Sequence, residues 1–252
     1  MSAIIGFAGK GGTGKTTVAS LVISWLVKNN KPPILAIDAD PNSTLAETLG
    51  LKDDKGIVQI VDEFSREKET LPTGLSKERF FEQKIQELLN ETDGFDLLSM
   101  GRPEGPGCYC YINNVLRGIM ERLTKSYMYT VIDNEAGMEH LSRRTARAIN
   151  VLFIISDETP VGIRSARRIC DLVKELEIKI KSTYLIVNRN KNTSEEMTKE
   201  IKNSKLKLAG TIPEDEQIYK LSAEGKPVSE LRDESPAKKA IDNICKSFID
   251  GI

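Results

Sequence analysis

The sequence predicts a doubly wound α/β fold, a mostly parallel sheet flanked by helices, formed as a single domain over residues 1–252. Three observations predict it. Short, β-branched apolar runs alternate with amphipathic stretches along the chain. Most of these runs are near-continuously apolar, as strands covered by helices on both faces must be. No internal repeat, low-complexity tract or Pro/Gly/Ser linker divides the chain.

The expected strands are Ala3–Ala8, Ile34–Ile37, Phe95–Ser99, Tyr129–Ile132, Val151–Ile155, Thr183–Val187 and Lys207–Ile212. The expected helices are Thr16–Lys28, Tyr111–Lys125, Glu139–Ala148, Ile163–Leu176 and Pro236–Ile249. Between two strands, Lys52–Gly94 is rich in charge and shows helical spacing in Phe80, Phe81, Ile85, Leu88 and Leu89. It reads as a helical insertion (52–94), either an amphipathic helix over a sheet edge or a partner-docking segment. In Lys174–Lys207, lysines alternate with glutamates and read as solvated helix faces.

Composition narrows the function classes. Apolar content of 39% with 29% charge fits a globular chain with a core and argues against disorder. A net charge of −1 gives no global attraction to nucleic acid or an anionic membrane, and neither is expected as a partner. No run of about 18 apolar residues is present to span a bilayer. The start of the chain, Met-Ser-Ala-Ile-Ile-Gly-Phe-Ala-Gly-Lys, lacks a basic region before a short apolar stretch, so the expected compartment is the cytoplasm.

Gly9-Lys10-Gly11-Gly12-Thr13-Gly14-Lys15-Thr16, followed by Thr17, fits G-x-x-x-x-G-K-[ST] between an expected strand and an expected helix. Glycines let backbone N–H groups turn inward as a phosphate nest, and the helix adds its positive end. Lys15 is expected to reach the β- and γ-phosphates of ATP or ADP, and Thr16 to ligate Mg²⁺. Asp133 ends the Tyr129–Ile132 strand, the usual place for a carboxylate directed toward Mg²⁺. Gly137 would let a backbone N–H approach the γ-phosphate.

Lys10 is the informative extra, because a phosphate loop needs only Lys15. The Gly-Lys-Gly-Gly-x-Gly-Lys-Thr-Thr form resembles the deviant phosphate loop of the SIMIBI class, which includes nitrogenase iron protein, MinD and ParA. That resemblance implies a homodimer in which Lys10 reaches the partner's nucleotide. It further implies a first switch at Asp38-Ala39-Asp40-Pro41-Asn42, with Asp38 near the metal's water shell and Asp40 orienting the attacking water. Asn188, Pro213 and Asp215 resemble the class's adenine pocket.

Cysteines number four, and Cys108 and Cys110 form a Cys-x-Cys in a Gly/Pro-rich segment. Two thiols at this spacing can point to one side of an extended backbone. A soft-metal site typically takes four ligands, which a two-fold dimer would supply; Zn²⁺, Ni²⁺ or an iron–sulfur cluster all suit thiolates, and a redox pair is the other option. Cys170 and Cys245 lie in helical patterns and read as buried thiols. Together with Glu135-Ala136-Gly137-Met138-Glu139-His140-Leu141, the Cys-Tyr-Cys segment resembles the nickel-insertion ATPases of CO dehydrogenase (CooC type) and their acetyl-CoA synthase relatives (AcsF type). The resemblance implies an ATP-hydrolysing nickel chaperone, able to take Zn²⁺, whose client is one of those enzymes. His140, the only histidine, reads as a helix-start residue or a metal ligand.

Two other functions fit parts of the pattern. An electron-transfer protein like nitrogenase iron protein would hold a [4Fe–4S] cluster on the dimer axis, but its second cysteine follows the strand where this chain has Asn134-Glu135-Ala136. A spatial organiser like MinD or ParA needs no Cys-x-Cys. The tail from Lys238 to Ile252, with three lysines against two aspartates, is also weakly basic for lipid binding.

Overall fold

The computed structural model describes residues 2–40, 42, 44–52, 56–66, 76–101, 110–135, 148–175 and 179–252. Its strands, all in one sheet, are β1 (Ala3–Gly9), β2 (Ile34–Ala39), β3 (Asn90–Glu91), β4 (Asp96–Ser99), β5 (Tyr129–Asn134), β6 (Ala148–Ser156), β7 (Lys179–Asn190) and β8 (Lys207–Pro213). Their spatial order is β3-β4-β2-β5-β1-β6-β7-β8. Every pairing is parallel except β3 with β4. The chain winds from β1 toward β2 and β4, returns through β5, and then crosses to β6 on the other side of β1. That reversal opens a crevice at the carboxyl end of β1, where ligands of open α/β sheets bind.

Side-chain alternation along the strands divides the core in two. Ile5, Phe7, Ile34, Ala36 and Val131 face α1 (Lys15–Lys28), the short α2 (Leu45–Thr48) and, near the chain end, α9 (Pro236–Phe248). On this side α8 (Glu216–Ala223) packs only through half-buried Ile218 and Leu221. Ala8, Leu35, Ile37, Leu98 and Ile132 face α3 (Ile57–Arg66), α4 (Lys77–Leu88), α5 (Cys110–Lys125), α6 (Pro160–Glu175) and α7 (Glu195–Ser204). The result is an α/β/α sandwich, the fold class expected from the alternating runs.

All seven expected strands form, with β7 extended to 12 residues by a polar lead-in from Lys179. Three expectations need correction. Ala148 opens β6 instead of closing a helix, and 139–147 lie outside the described residues. A β-branched run continuing into Phe153 overrides the helical pattern there. Within Lys174–Lys207 the solvated helix faces are confined to the end of α6 and to α7, since β7 runs over Lys179–Asn190, beyond the expected Thr183–Val187. Lastly, among its described residues the 52–94 stretch holds α3, α4 and the short strand β3, and α4 ends before Leu89, which is its extended C-cap. Phe64 of α3 packs on Phe80 and Phe81 of α4, with ring centroids 5.5 and 5.1 Å apart. Phe81 and Ile85 are buried in the same core as Leu98 and Met100, so these helices belong to the sandwich.

Candidate nucleotide site

The phosphate loop begins where β1 runs too close to β6 for any side chain: a Cβ on Gly9 would lie 2.4 Å from the carbonyl oxygen of Ile155. Gly12 and Gly14 adopt φ of +80° and +87°, a region that L side chains enter only with strain. Between them Thr13 is buried, and its hydroxyl donates to the Lys10 carbonyl at 2.9 Å, closing the loop on itself. Gly14 is the N-cap of α1 and no side chain caps that helix, so its first N–H groups turn to the hollow of the loop. Lys15 is buried while Lys10, Gly11 and Gly12 are exposed. Thr16 and Thr17 are half-buried at the start of α1.

Beside the loop lie two buried carboxylates on neighbouring strands. Asp38 of β2 and Asp133 of β5 are register partners, and both are fully buried. Thr16 Oγ1 donates to Asp133 Oδ2 at 2.6 Å, whereas Oδ1 has no partner among the described residues. Burial pushes the Asp133 carboxyl up to about 6, against the Thr16 hydrogen bond and the charge of Lys15. Burial likewise pushes Asp38 up to about 7, opposed by the backbone N–H of Leu45 and reinforced by the charge of Asp133. Asp38 Oδ2 accepts from Leu45 N at 2.9 Å and Oδ1 from Asp40 N at 3.0 Å, so this side chain shapes the turn after β2. Asp40 is half-buried, and its Oδ1 accepts from Asn42 N and Nδ2, each at 2.9 Å.

Two adjacent buried carboxylates with one unpartnered oxygen, next to a hydroxyl and a lysine, are costly without a cation. The donor set is all oxygen, which suits Mg²⁺. The residues present therefore fit a magnesium–nucleotide.

Asn188 and Pro213 lie at the carboxyl ends of β7 and β8, with Asp215 just beyond. Asn188 Nδ2 donates to the Thr13 carbonyl at 2.8 Å, so the structure brings Asn188 onto the phosphate loop. Asp215 caps α8 through Gln217 N at 2.9 Å, and its other oxygen accepts from the Ser235 hydroxyl at 2.6 Å. Both of its oxygens are thus engaged in joining α8 to α9. Arg189, which closes the segment resembling an adenine pocket but was given no role from sequence, also reaches the loop, its Nη1 donating to the Gly12 carbonyl at 3.3 Å. Its only signal in the sequence was its place next to Asn188.

Pro41, Cys108, Gly137 and His140 lie outside the described residues. Cys110 is the first residue of α5. Cys170 and Cys245 are buried, and burial raises the Cys245 thiol further. Among the described residues no group of three or more His, Cys, Asp or Glu gathers in a way that could hold a metal ion. Nor does any described helix have the length and apolarity to cross a membrane.

A strand, a glycine loop and a helix, with Lys15 and Thr16 at the helix start and Asp133 opposite, define a P-loop ATPase. The chain belongs to the CobQ/CobB/MinD/ParA nucleotide-binding family, whose domain matches residues 4–228. It is 41% identical to an uncharacterised ATP-binding protein of Methanocaldococcus jannaschii, over 98% of each chain. It is 28% identical to the carbon monoxide dehydrogenase accessory protein CooC of Rhodospirillum rubrum, over 69% of this chain and 70% of that one. Among solved structures, the septum site-determining protein MinD of Pyrococcus horikoshii, complexed with Mg-ADP, superposes with a TM-score of 0.68. It is 19% identical and covers 98% of this chain and 96% of its own.

Proposed function

We propose that the chain is an ATP-hydrolysing metallochaperone that delivers nickel to a nickel enzyme of carbonyl chemistry, CO dehydrogenase or acetyl-CoA synthase. The observation that carries this proposal is the tether between nucleotide strand and cysteine segment. Met100 N donates to the Asp38 carbonyl at 2.8 Å, and Met100 O accepts from Val58 N at 2.9 Å. Gly101 follows this anchor, and in the sequence Cys108 stands seven residues further on. In this reading a change at the nucleotide is passed through Met100 to the segment that carries the two thiols. The partial similarity to CooC supports the same assignment.

In this proposal Lys15 neutralises the β- and γ-phosphates, and Thr16 and Asp133 hold Mg²⁺. Asp40 orients the attacking water, and Asp38 holds the turn that carries it. Gly11–Thr17 and Gly137 supply backbone N–H groups to the phosphates, while Asn188, Pro213 and Asp215 flank the base. Two copies meet at this carboxyl end of the sheet, where exposed Lys10 reaches the partner's nucleotide. Cys108 and Cys110 of both copies together bind the Ni²⁺ cargo, and Zn²⁺ fits the same four thiolates.

The test is nickel binding by equilibrium dialysis, with sedimentation for dimer content, with and without ATP or ADP. About one Ni²⁺ per two chains is expected, abolished in Cys108→Ala/Cys110→Ala and shifted by nucleotide. Undiminished nickel binding by the double variant would overturn the shared thiolate site. A MinD-like organising role is the second candidate, favoured by superposition over the whole chain. ATP-dependent sedimentation with anionic liposomes, and no nickel bound, would select it.

A further inference from the structure

We propose that Asn188 and Arg189 act as a pair of positioning residues for the phosphate loop, and that Arg189 sets the loop's affinity for the β-phosphate. This assignment rests on the ATP-site reading and is independent of nickel. In a regular strand successive side chains point to opposite faces, so neighbours such as Asn188 and Arg189 could not both reach one loop. Here they do. The β7–β8 register is irregular between Val187 and Asn190, and Arg189 has φ of +54°. An arginine in this left-handed conformation is uncommon and disfavoured, so the surrounding contacts must hold it there.

What the kink achieves is contact with two consecutive carbonyls: Arg189 Nη1 donates to Gly12 O at 3.3 Å and Asn188 Nδ2 to Thr13 O at 2.8 Å. In a trans peptide the C=O of one residue and the N–H of the next point in opposite directions. Drawing the carbonyls of Gly12 and Thr13 outward toward β7 therefore turns the N–H groups of Thr13 and Gly14 inward. The Thr13 N–H donates to Lys10 O at 3.4 Å within the loop, so the Gly14 N–H is the one this geometry offers to the phosphate nest. The packing is close enough to require glycine at 14, because a Cβ there would lie 2.4 Å from Asn188 Nδ2 and 3.9 Å from Arg189 Nη2. Asn188 is buried and Arg189 exposed, so Asn188 is the fixed post and Arg189 the adjustable strap.

The experiment compares wild type, Arg189→Ala, Arg189→Lys and Lys15→Ala by calorimetric titration with ADP and AMP and by steady-state ATPase kinetics. Arg189→Ala is expected to weaken ADP binding and raise KM for ATP by roughly fivefold, with AMP affinity and kcat nearly unchanged. Arg189→Lys, which keeps a donor, should recover part of the loss. Equal weakening of AMP and ADP would place Arg189 on the nucleoside, not on the loop. A fall in kcat at unchanged KM would make it a group that touches the reacting phosphate, and unchanged ADP affinity would remove any role. Each of these outcomes overturns the assignment. Normal ADP binding by Lys15→Ala would instead defeat the phosphate-site reading itself, so the two failures are distinguishable.

Discussion

The backbone N–H of Met100 donates to the carbonyl of Asp38 at 2.8 Å, so the last hydrogen bond between β4 and β2 is made where the nucleotide carboxylate and the cysteine segment both begin. Gly56 and Gly101 make this junction possible. A Cβ on Gly56 would fall 2.5 Å from the Gly101 Cα and 2.8 Å from the Met100 carbonyl carbon. Gly56→Ala is expected to force the β4 exit away from α3, costing about 1–3 kcal/mol of stability. ATP affinity should stay near wild type while nucleotide loses its effect on nickel affinity. Dialysis with and without ATP, next to a denaturant melt, measures both.

The Asp38–Asp133 pair makes apo stability depend on pH. Both carboxyls stand above their ordinary value of 3.8 in the folded chain, at about 7 and about 6. A group raised on folding contributes stability below its unfolded pKa and loses that contribution as pH climbs through the folded one. The apo protein should therefore melt at lower temperature at pH 8 than at pH 5.5. Magnesium with ADP, which favours the ionised carboxylates, should flatten or reverse that slope. A pH-independent melt with and without Mg-ADP would show that the pair is not strained.

Asp133→Asn separates stability from catalysis. The amide oxygen can still accept from Thr16, and the charge held in the core is gone, so apo stability should hold or rise. Magnesium-dependent ATP hydrolysis should fall by about a hundredfold or more if the proposed Mg²⁺ site takes Asp133 as its anionic ligand, and unchanged hydrolysis would remove that role. Phosphate release against Mg²⁺ concentration, together with thermal melts, checks the two halves independently.

Trp25, the only tryptophan, sits far from the phosphate loop on α1 and ties α1 to α9. Its Nε1 donates to Asp242 Oδ1 at 2.9 Å, and Asp242 is held below the usual carboxylate range by Lys246 first and by Trp25 second. Trp25→Phe should cost roughly 1–3 kcal/mol, from the lost hydrogen bond and the smaller ring. ATPase activity below the melting transition should be unchanged. Urea unfolding followed by circular dichroism gives the first quantity, and phosphate release the second.

Seven strands and the helix after the phosphate loop were legible because an apolar run or a 3.6-residue period is written in adjacent residues. Elements of weaker pattern escaped. α8 has no fully buried residue, and a helix that buries so little leaves almost no period to read. α7 was legible instead by its charge, carrying Glu195, Glu196, Lys199 and Glu200 against a buried Met197. Ala148 was misread for the opposite reason, since the helical pattern that leads up to it is overridden by sheet pairing with Lys179.

The candidate site divides along the same line. Gly9–Thr17, with Asp38 and Asp133 at strand ends, is recognisable as chemistry from residue type and spacing alone, because a phosphate nest is a local arrangement. Their relations are not local. That Asp38 and Asp133 stand in register, that Thr16 bonds one oxygen of Asp133 while the other has no partner among the described residues, and that Asn188 and Arg189 grip Thr13 and Gly12 all depend on the strand order. Local pattern encodes backbone conformation and which face is buried. Which strands lie side by side follows from the winding of the whole chain around β1, and only folding settles that.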